Sequence, residues 1–432
     1  MATAATSSNA VRPGRTLFGH PPGLTVLFTT QMWAEFSFFG LQALLVYYMT
    51  KQLGFSQAKS SLIYGAYGAA AFFSPFFGGL IADRWLGRTP SVIAGGTMMM
   101  LGHFAMAFPA LLFPALALVA LGNGLFIPPL AVQVGSLYAD DDPRKSYAYS
   151  AYYMGINLGG FLAPLVCGTL GELYGWHWGF TCAGVGMAIG LVIYCSCRRF
   201  LPPEPRRAEI AREERPDAEP AIRKHVAILV LMTAMVVLFR IGYEQSGNVI
   251  ALWVRDFTDR SIGSGITIPA TWFQSINPLL IILGTPVLIR IWRRRKVKET
   301  TPHLLRRMAI GCVIAAAAML VMVMAALASG PGGARVSSLW VFLYFVLLTL
   351  GELFVIPVGL TLIESLAPVR FASMAMGAWY IAKFLGSLGA GVMGAYWLVI
   401  PASAFFSLGV VSTVIAAVCL YAMSRVLRSE TG

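Results

Sequence analysis

Charged residues are scarce in this sequence, and acidic residues are scarcer than basic ones. Only 12% of the 432 residues are Asp, Glu, Lys or Arg, and 57% are hydrophobic. A soluble domain carries about 25% charged residues, so this composition is typical of a membrane protein. Segments of about ten residues with alternating polarity are also lacking, which argues against a membrane β-barrel.

Several catalytic motifs are missing as well. The sequence contains no G-x-x-x-x-G-K-[ST], no H-E-x-x-H and no G-x-S-x-G, and no polar region is long enough for a soluble catalytic domain. The six cysteines fall in or at the ends of apolar runs, and the C-x-C of Cys195 and Cys197 has no second pair. We therefore expect no enzyme activity, no cofactor, no metal site and reduced cysteines.

Apolar runs near the roughly 20 residues needed to cross a membrane occur about twelve times, which predicts an all-α membrane protein. The seventh run is placed at roughly residues 225–256. A polar stretch rich in Pro, Arg, Glu and Ala divides the runs six and six. The predicted organisation is an N-terminal segment (1–23), a six-helix bundle (24–198), a linker (199–224), a second six-helix bundle (225–425) and a tail (426–432).

The basic residues are distributed unevenly between the two sides of the predicted membrane. Of the 32 Lys and Arg, 25 lie on the side that holds both termini, five lie on the other side, and Arg240 and Lys383 lie within spans. The positive-inside rule therefore predicts cytosolic termini, and we expect a multi-pass protein of a bacterial inner membrane. The net charge of +13 is therefore explained by the basic residues that the membrane topology places on the cytosolic side. It gives no reason to expect a nucleic-acid partner.

Five charged residues lie inside predicted spans: Glu35, Arg240, Glu244, Glu352 and Lys383. A charge in the middle of a bilayer costs about 2.5–3.5 kcal/mol even on mild insertion scales, so these residues imply a polar interior. Ionisable groups in membranes mark ion and substrate pathways, and this set predicts a transporter.

The two halves of the sequence share features at matching places. The fourth helix of the first half reads G-L-F-I-P-P-L from Gly124, and that of the second half reads E-L-F-V-I-P-V-G-L from Glu352. Proline-interrupted helices in two repeats indicate a substrate site at the repeat interface. Gln31 and Glu35, like Arg240 and Glu244, are four residues apart and share a helix face. This pattern describes a transporter of the major facilitator type.

The segment G-G-L-I-A-D-R-W-L-G-R, from Gly78 to Arg88, resembles the loop signature of the major facilitator superfamily. We expect Gly79 to allow two helices to approach closely. Asp83, Arg84 and Arg88 are expected to form a cytosolic charge latch.

Longer motifs narrow the resemblance. They begin at Tyr152 (Y-Y-M-G-I-N-L-G-G-F-L-A-P), Gly175 (G-W-H-W-G-F), Glu244 (E-Q-S-G), Trp272 (W-F-Q-S-I-N-P) and Ala367 (A-P-V-R-F-A-S-M-A-M-G-A-W). From about Phe36 to Trp379 the sequence resembles the proton-dependent oligopeptide transporter (peptide transporter) family. The resemblance implies a major facilitator fold and proton-driven movement of small peptides by alternating access.

The sequence departs from this family at positions that normally bind protons and the termini of the peptide. The first helix has lost the usual E-x-x-E-R-F motif, the tyrosines that follow it and a further Arg, the second helix lacks a common Tyr, and the fourth helix lacks Lys-Pro-Asn. The residues present instead are Gln31, Ala34, Glu35, Phe38, Phe39, Gln42, Phe72, Ile127, Pro128 and Pro129.

Glu244 and Glu352 match the family's acids on the seventh and tenth helices, and both have lost their usual basic partners. A buried carboxylate without a partner tends to bind a proton, because desolvation disfavours its charged form. We expect Glu244, Glu352 and Glu35 to couple protons to transport. We further expect Arg240 to stabilise Glu244 and Lys383 to reach Glu352 or the substrate. The alternative is that both cations extend to a membrane edge.

Polar and aromatic side chains of the spans complete the predicted substrate site, together with Arg240, Lys383 and Ile127. Each amide has a structural alternative, an interhelical hydrogen bond, and each aromatic residue has packing as its alternative. His103 is expected to form a helix–helix hydrogen bond. The candidates are Gln31, Ser37, Phe38, Phe39, Gln42, Phe72, Asn157, Gln245, Asn248, Gln274, Asn277 and Trp379.

The sequence thus predicts a monomeric secondary transporter in a lipid bilayer, with a small peptide or peptide-like substrate and protons as the driving ions. Two alternatives stay open at this point. One is a diverged importer or exporter of another small metabolite, and the other is a transporter-like receptor that binds ligand without cycling.

Overall fold

The computed structural model describes residues 19–139, 142, 144–202, 219–262, 265–295, 300–330, 332–366 and 372–429. Most of the predicted N-terminal segment (1–23), most of the linker (199–224) and the last three residues of the tail (426–432) lie outside the described residues. Part of the motif that begins at Ala367 also lies outside them. The predicted domain boundaries therefore stay predictions.

The first half of the chain forms six long helices. They are α1 (Pro22–Lys51), α2 (Gln57–Ile81), α3 (Arg88–Ala105), α4 (Leu112–Gly135), α5 (Arg144–Thr169) and α6 (Trp176–Ser196). Short π-helical turns extend α2 (Ala82–Leu86) and α5 (Leu170–Tyr174). Short 3₁₀ turns precede α4 (Pro109–Leu111) and follow α6 (Arg198–Phe200).

The described residues of the second half form seven helices, two of which share one span. They are α7 (Glu219–Tyr243), α8 (Val249–Phe257), α9 (Ile276–Arg295), α10 (Thr301–Ser329), α11 (Ser338–Leu366), α12 (Ala372–Ala395) and α13 (Ala402–Ser429). A 3₁₀ turn, Ala270–Ser275, leads into α9. Four two-residue strands in the loops pair as β1 (Thr258–Asp259) with β4 (Val336–Ser337) and β2 (Ser261–Ile262) with β3 (Ile266–Thr267).

Nine helices of the described chain are long and apolar enough to cross a membrane. The spans formed by α1, α3 and α12 fall outside that set. The hydropathy of α1 is low because the helix has a polar face that points to the interior, where Gln31, Glu35 and Ser37 are all buried. Polar residues that face the inside of a bundle lower the hydropathy of a helix without exposing charge to lipid. The polarity of α1 is therefore a sign of its central position.

The predicted span 225–256 corresponds to one candidate span, His225–Phe257, but its helix is interrupted near the far end of the span. α7 ends at Tyr243, a 3₁₀ turn covers Glu244–Gly247, and α8 begins at Val249. Asn248, between the turn and α8, has φ −109° and ψ −96°, which is not a helical conformation. Gly247 and the preceding Ser have low helix propensity, so the chain breaks here at little cost. Glu244 stands at the start of this turn.

The helices form two bundles that meet along two matching contacts. In the first bundle α1 packs on α5 and α6, and α3 packs on α4. In the second, α10 packs on α11 and α13, and α7 packs on α12 and α13. The bundles meet where α2 contacts α12 and where α5 contacts α9. Each contact joins the second helix of one bundle to the fifth of the other.

The two ends of the bundles are named here by the positions of the chain termini. The terminal end is where α1 begins and α13 ends, and the far end is the opposite one. At the far end, side chains of the first bundle bind backbone groups of the second. Tyr47 Oη donates to the Ala251 carbonyl (2.8 Å), and Gln57 Nε2 donates to the Gly394 carbonyl (2.7 Å). The Glu172 carboxylate accepts from the amides of Ala270 (2.9 Å) and Thr271 (2.8 Å).

Glycines allow the bundles to touch at the α2–α12 contact. A Cβ atom built on Gly65 would lie 2.6 Å from the Cα of Gly391 and 2.6 Å from the Ser387 carbonyl oxygen. One turn of helix nearer the far end, Ser61 Oγ donates to Asn248 Oδ1 (2.8 Å). Backbone therefore rests directly on backbone in this half of the interface.

The loop signature after α2 does not act as the sequence predicts. The close approach is at Gly78, where a Cβ would lie 2.1 Å from the Gly124 carbonyl oxygen, whereas one on Gly79 would meet Pro128 at an ordinary 3.5 Å. Adjacent helical residues point about 100° apart, so only one of the two glycines can face α4.

The charge latch is not formed either. Asp83 and Arg84 are exposed, and within the described part of the chain Asp83 forms no ion pair. Arg88 Nη1 donates instead to Ser136 Oγ (3.2 Å), which ties the start of α3 to the end of α4.

Candidate functional site

A row of hydrogen bonds on α1 leads to the first of the three candidate carboxylates. Gln31 Nε2 donates to Glu35 Oε1 (2.7 Å), as their spacing of four residues predicts. Tyr152 Oη of α5 donates to Gln31 Oε1 (2.8 Å) and fixes the orientation of the amide. Glu35 is 9% exposed. The neutral amide thus supplies one hydrogen bond and no charge to Glu35.

Arg240 and Glu244 form an ion pair at the end of α7. Both side chains are buried, and they are one helical turn apart, so the prediction that Arg240 stabilises Glu244 agrees with the geometry. The guanidinium also lies over the rings of Tyr243 (4.9 Å to the centroid) and Phe72 of α2 (5.4 Å). For Arg240, the alternative of extending to a membrane edge is wrong, because the side chain ends inside the protein.

Glu352 on α11 receives a hydrogen bond from a neighbour in its own bundle. Asn277 Nδ2 of α9 donates to Glu352 Oε2 (2.8 Å) and also contacts Thr349 Oγ1 (3.0 Å). The Tyr243 hydroxyl lies 3.5 Å from Asn277 Oδ1, on the other side of the same amide. Among the predicted amide candidates, Asn277 is therefore the one that positions a carboxylate of the second bundle.

Lys383 on α12 does not reach Glu352, and this part of the prediction is wrong. Among the described residues its ammonium forms no hydrogen bond and no ion pair. The Nζ atom lies over the rings of Phe72 (4.9 Å to the centroid) and Tyr380 (5.6 Å). These rings place the ammonium beside α2 and α12.

The five charged groups nevertheless form one electrostatic cluster between the bundles. Lys383 is close enough to Glu35, Glu244 and Glu352 to be attracted by all three, and close enough to Arg240 to be repelled by it. Both cations share the ring of Phe72, since each of them stands over it. We call these five charged residues and Phe72 the central cluster.

Most of the other predicted amides contact backbone or other side chains, either within one bundle or between the two. Gln42 Nε2 donates to Tyr64 Oη (3.0 Å), Gln245 Nε2 to the Ala390 carbonyl (3.0 Å), Gln274 Nε2 to the Ala43 carbonyl (3.4 Å), and Asn157 Nδ2 to the Tyr153 carbonyl of its own helix (3.0 Å). The bonds of the three glutamines, and that of Asn248 with Ser61, agree with the alternative stated for each amide, an interhelical hydrogen bond. The bond of Asn157 lies within α5 and is not interhelical.

The predicted aromatic and apolar candidates divide into two groups. Phe72 belongs to the central cluster. Phe38 is buried and stacks on Tyr67 (6.0 Å between centroids), and Phe39 packs edge-on against Phe38. Trp379 lies against Gly359 of α11, where an added Cβ would be 2.7 Å from its ring, so this Trp packs α12 on α11. Ile127 is half-buried in α4, among the apolar side chains that pack on the core.

His103 has the structural role expected of it. Its Nε2 lies 3.0 Å from Ser37 Oγ, so the pair joins α3 to α1 inside the first bundle.

Sequence reasoning missed three tyrosines that contact the site residues: Tyr64, Tyr152 and Tyr243. Tyr152 is part of a motif on which the family resemblance rests, and Tyr243 directly precedes Glu244 in the sequence. Their closeness in sequence to these features was the signal that could have identified them as site residues.

Comparison with known proteins shows the family to which this chain belongs. The Major Facilitator Superfamily profile matches residues 27–391. A peptide transporter of Yersinia enterocolitica is 33% identical over 459 residues, which covers 89% of each chain. The chain belongs to the peptide transporter (POT) family of the major facilitator superfamily. A di-/tripeptide transporter of Lactococcus lactis subsp. cremoris is 32% identical and covers 87% of this chain.

Solved structures agree with this membership. A crystal structure of a peptide transporter POT in complex with sulfate superposes with a TM-score of 0.86 at 30% identity, and covers 96% of each chain. A POT family transporter in complex with 5-aminolevulinic acid superposes with the same TM-score at 25% identity. The predicted fold, a major facilitator transporter with about twelve spans in two bundles, is confirmed.

Proposed function

We propose that this POT family member moves small peptides or peptide-like compounds across a bacterial plasma membrane together with protons, by alternating access. The central cluster carries the proposal, because it brings a carboxylate of the first bundle together with two carboxylates and two cations of the second. The name of the Yersinia relative supports a peptide as the substrate class, and that of the Lactococcus relative supports a di- or tripeptide.

The charges of the central cluster favour uptake of a proton. Three carboxylates stand with two cations, so the cluster carries one excess negative charge when every group is ionised. An excess charge buried between helices is costly, and binding one proton removes it. A carboxylate that binds this proton from one side of the membrane and releases it to the other couples transport to the gradient. Glu35, Glu244 and Glu352 are the groups to which we assign this step.

Alternating access exposes the central cluster first to one side of the membrane and then to the other, which the uptake and release of the proton require. The far-end contacts of α2, α5 and α1 close one side of the bundle interface, and opening them while the terminal end closes exposes the cluster to the other side. With the distribution of Lys and Arg, we place both termini in the cytosol, so the far end faces outward. The transporter is expected to act as a monomer.

Uptake into proteoliposomes tests the proposal. Purified protein should accumulate labelled dialanine when the outside is made acidic, and an uncoupler should abolish the accumulation. Glu244→Gln and Glu352→Gln should each remove gradient-driven uptake and retain exchange of labelled for unlabelled peptide, because exchange needs no net proton movement. Asp259→Asn is the matched control, since this carboxylate bonds to Ser261 in a far-end loop.

Each outcome has a defined meaning. Uptake that needs a gradient and fails in both glutamine variants supports the proposal. Gradient-driven uptake that survives in both variants would contradict the assignment of Glu244 and Glu352. Binding of dialanine without flux in either direction would leave a receptor, and uptake of other metabolites without dialanine would leave a diverged transporter.

A further inference from the structure

Two consecutive hydrogen bonds join α5 to the carboxylate of the first bundle. Tyr152 Oη donates to Gln31 Oε1 (2.8 Å), and Gln31 Nε2 donates to Glu35 Oε1 (2.7 Å). All three side chains are buried, and the two helices touch here, because a Cβ atom built on Gly159 of α5 would lie 3.1 Å from Glu35 Cβ. We call these three side chains the α5–α1 network. Its hydrogen bonds run in one direction, from the tyrosine hydroxyl to the carboxylate.

The orientation of the Gln31 amide decides which form of Glu35 is favoured. In the observed orientation an N–H group faces Glu35, and an ionised carboxylate is the stronger acceptor for it. In the reversed orientation the amide oxygen would face Glu35, where it repels an ionised carboxylate and accepts the O–H of a protonated one. The observed orientation therefore favours ionised Glu35, and the reversed one favours the protonated acid.

Tyr152 selects between these two orientations. Its hydroxyl donates to Gln31 Oε1, and the described residues offer this hydroxyl no second acceptor. If the amide reversed, Gln31 Nε2 would donate to the tyrosine oxygen, and the hydroxyl hydrogen would be buried without a partner. A buried donor without an acceptor is unfavourable, so the tyrosine holds the amide as it is observed.

Other titratable groups face Glu35 without bonding to it. Lys383 and Tyr380 of α12 and Tyr67 of α2 lie close enough for their charges to interact with that of Glu35. Within the described residues, the hydrogen bond to Glu35 comes from Gln31. The ammonium of Lys383 favours ionised Glu35 at a distance, whereas the amide acts by direct contact. These three groups are unchanged in the variants used below, so they are the same background in every comparison.

We propose that Tyr152 is a positioning residue for proton coupling, which keeps the N–H group of Gln31 on Glu35 and so holds this carboxylate ionised between transport cycles. This inference rests on the proposed function, in which Glu35 is one of the groups that bind the proton. A carboxylate that is held ionised gives its proton up readily, as release into a neutral cytosol requires. Tyr152 thus acts on the proton through Gln31, from a helix that does not carry the carboxylate.

Infrared titration of the purified protein in lipid, without substrate, measures the proton on Glu35 directly. The carboxyl band that disappears in Glu35→Gln belongs to Glu35, and its amplitude against pH gives the midpoint of protonation. Tyr152→Phe should move this midpoint up by about 0.5 to 1 pH unit, because the preference lost is that of one hydrogen bond. Tyr152→Met also lacks the hydroxyl and serves as a second variant. Tyr147→Phe is the matched control, since this tyrosine is exposed on the same helix.

A double variant tests whether Tyr152 acts through Gln31. Gln31→Leu removes the donor to Glu35 and should also raise the midpoint. Adding Tyr152→Phe to Gln31→Leu should shift it no further, because the hydroxyl then has no amide to orient. Gel filtration and thermal unfolding check that each variant is folded. The proposal is wrong if the two shifts add, or if Tyr152→Phe and Tyr152→Met leave the midpoint at or below that of the wild type.

The pH profile of dialanine uptake into proteoliposomes connects the network to transport. In Tyr152→Phe, the outside pH at which uptake is half-maximal should rise together with the infrared midpoint. A rate that falls equally at every pH, with an unmoved midpoint, would show that Tyr152 only packs α5 on α1, and would overturn the proposal. Wild-type protein that takes up no dialanine at any pH would overturn the proposed function, whereas the infrared titration would still decide the positioning role.

Discussion

Gly65 of α2 stands at the closest backbone contact between the bundles, and its replacement by alanine should force them apart. The new Cβ would lie 2.6 Å from both Gly391 Cα and the Ser387 carbonyl oxygen, whereas ordinary contact begins at 3.4 Å. The helices must therefore separate by roughly 0.8 Å, because close-packed interiors leave no void to absorb the methyl group. Both opposing atoms belong to the backbone, so no side chain can rotate away.

The size of the effect follows from the cost of overpacking. An extra methyl group in a well-packed interior costs about 1–3 kcal/mol. Alternating access requires the far end to open, so this cost falls on the closed conformation described above and is relieved in the open one. A difference of that size shifts the equilibrium between the two conformations by about 5- to 150-fold toward the open far end.

Spin labels at two far-end positions measure this shift. Leu111 precedes α4 in the first bundle, Leu339 begins α11 in the second, and both side chains are exposed. In protein with the six native cysteines replaced, Gly65→Ala should move the distance distribution of the labels to longer values. Gly79→Ala, on the same helix with only a 3.5 Å contact, should leave it unchanged. Identical distributions for both variants would refute the reasoning.

Three further predictions concern the central cluster and the far end. Arg240→Gln should destabilise the protein by about 3–5 kcal/mol in detergent unfolding, because Glu244 stays buried without its partner, and adding Glu244→Gln should recover most of the loss. Phe72→Leu removes the ring that faces both cations, so dialanine affinity should fall about 2- to 30-fold in thermal-shift titrations; Phe76→Leu, on an exposed face, should have no effect. Glu172→Gln leaves one backbone amide without an acceptor, at about 1–3 kcal/mol, and the same spin-label pair should report a more open far end.

Interactions within one helix were predictable from the sequence. Gln31 and Glu35, like Arg240 and Glu244, are joined at a spacing of four residues, and such pairs follow from helix geometry alone. The class of fold was predictable as well, because span length, proline positions and family motifs all depend on local sequence.

Interactions between helices were harder to predict. Lys383 lies over Phe72 and not beside Glu352, because the rotation of α12 about its axis is set by its packing on α2 and α7. In the same way, the rotation of α2 about its axis decides that Gly78, and not Gly79, makes the close approach to α4. Sequence patterns specify which face of a helix is polar, but they do not specify which neighbour that face meets.

The far-end contacts of Tyr47, Gln57 and Glu172 have a practical consequence for engineering. Their partners in the second bundle are backbone carbonyls and amides, which every substitution except proline preserves. Side chains of the second bundle, including Lys383, can therefore be randomised while these three closing contacts keep their partners. A library built at Lys383 can be screened for new substrates while these three far-end contacts are kept.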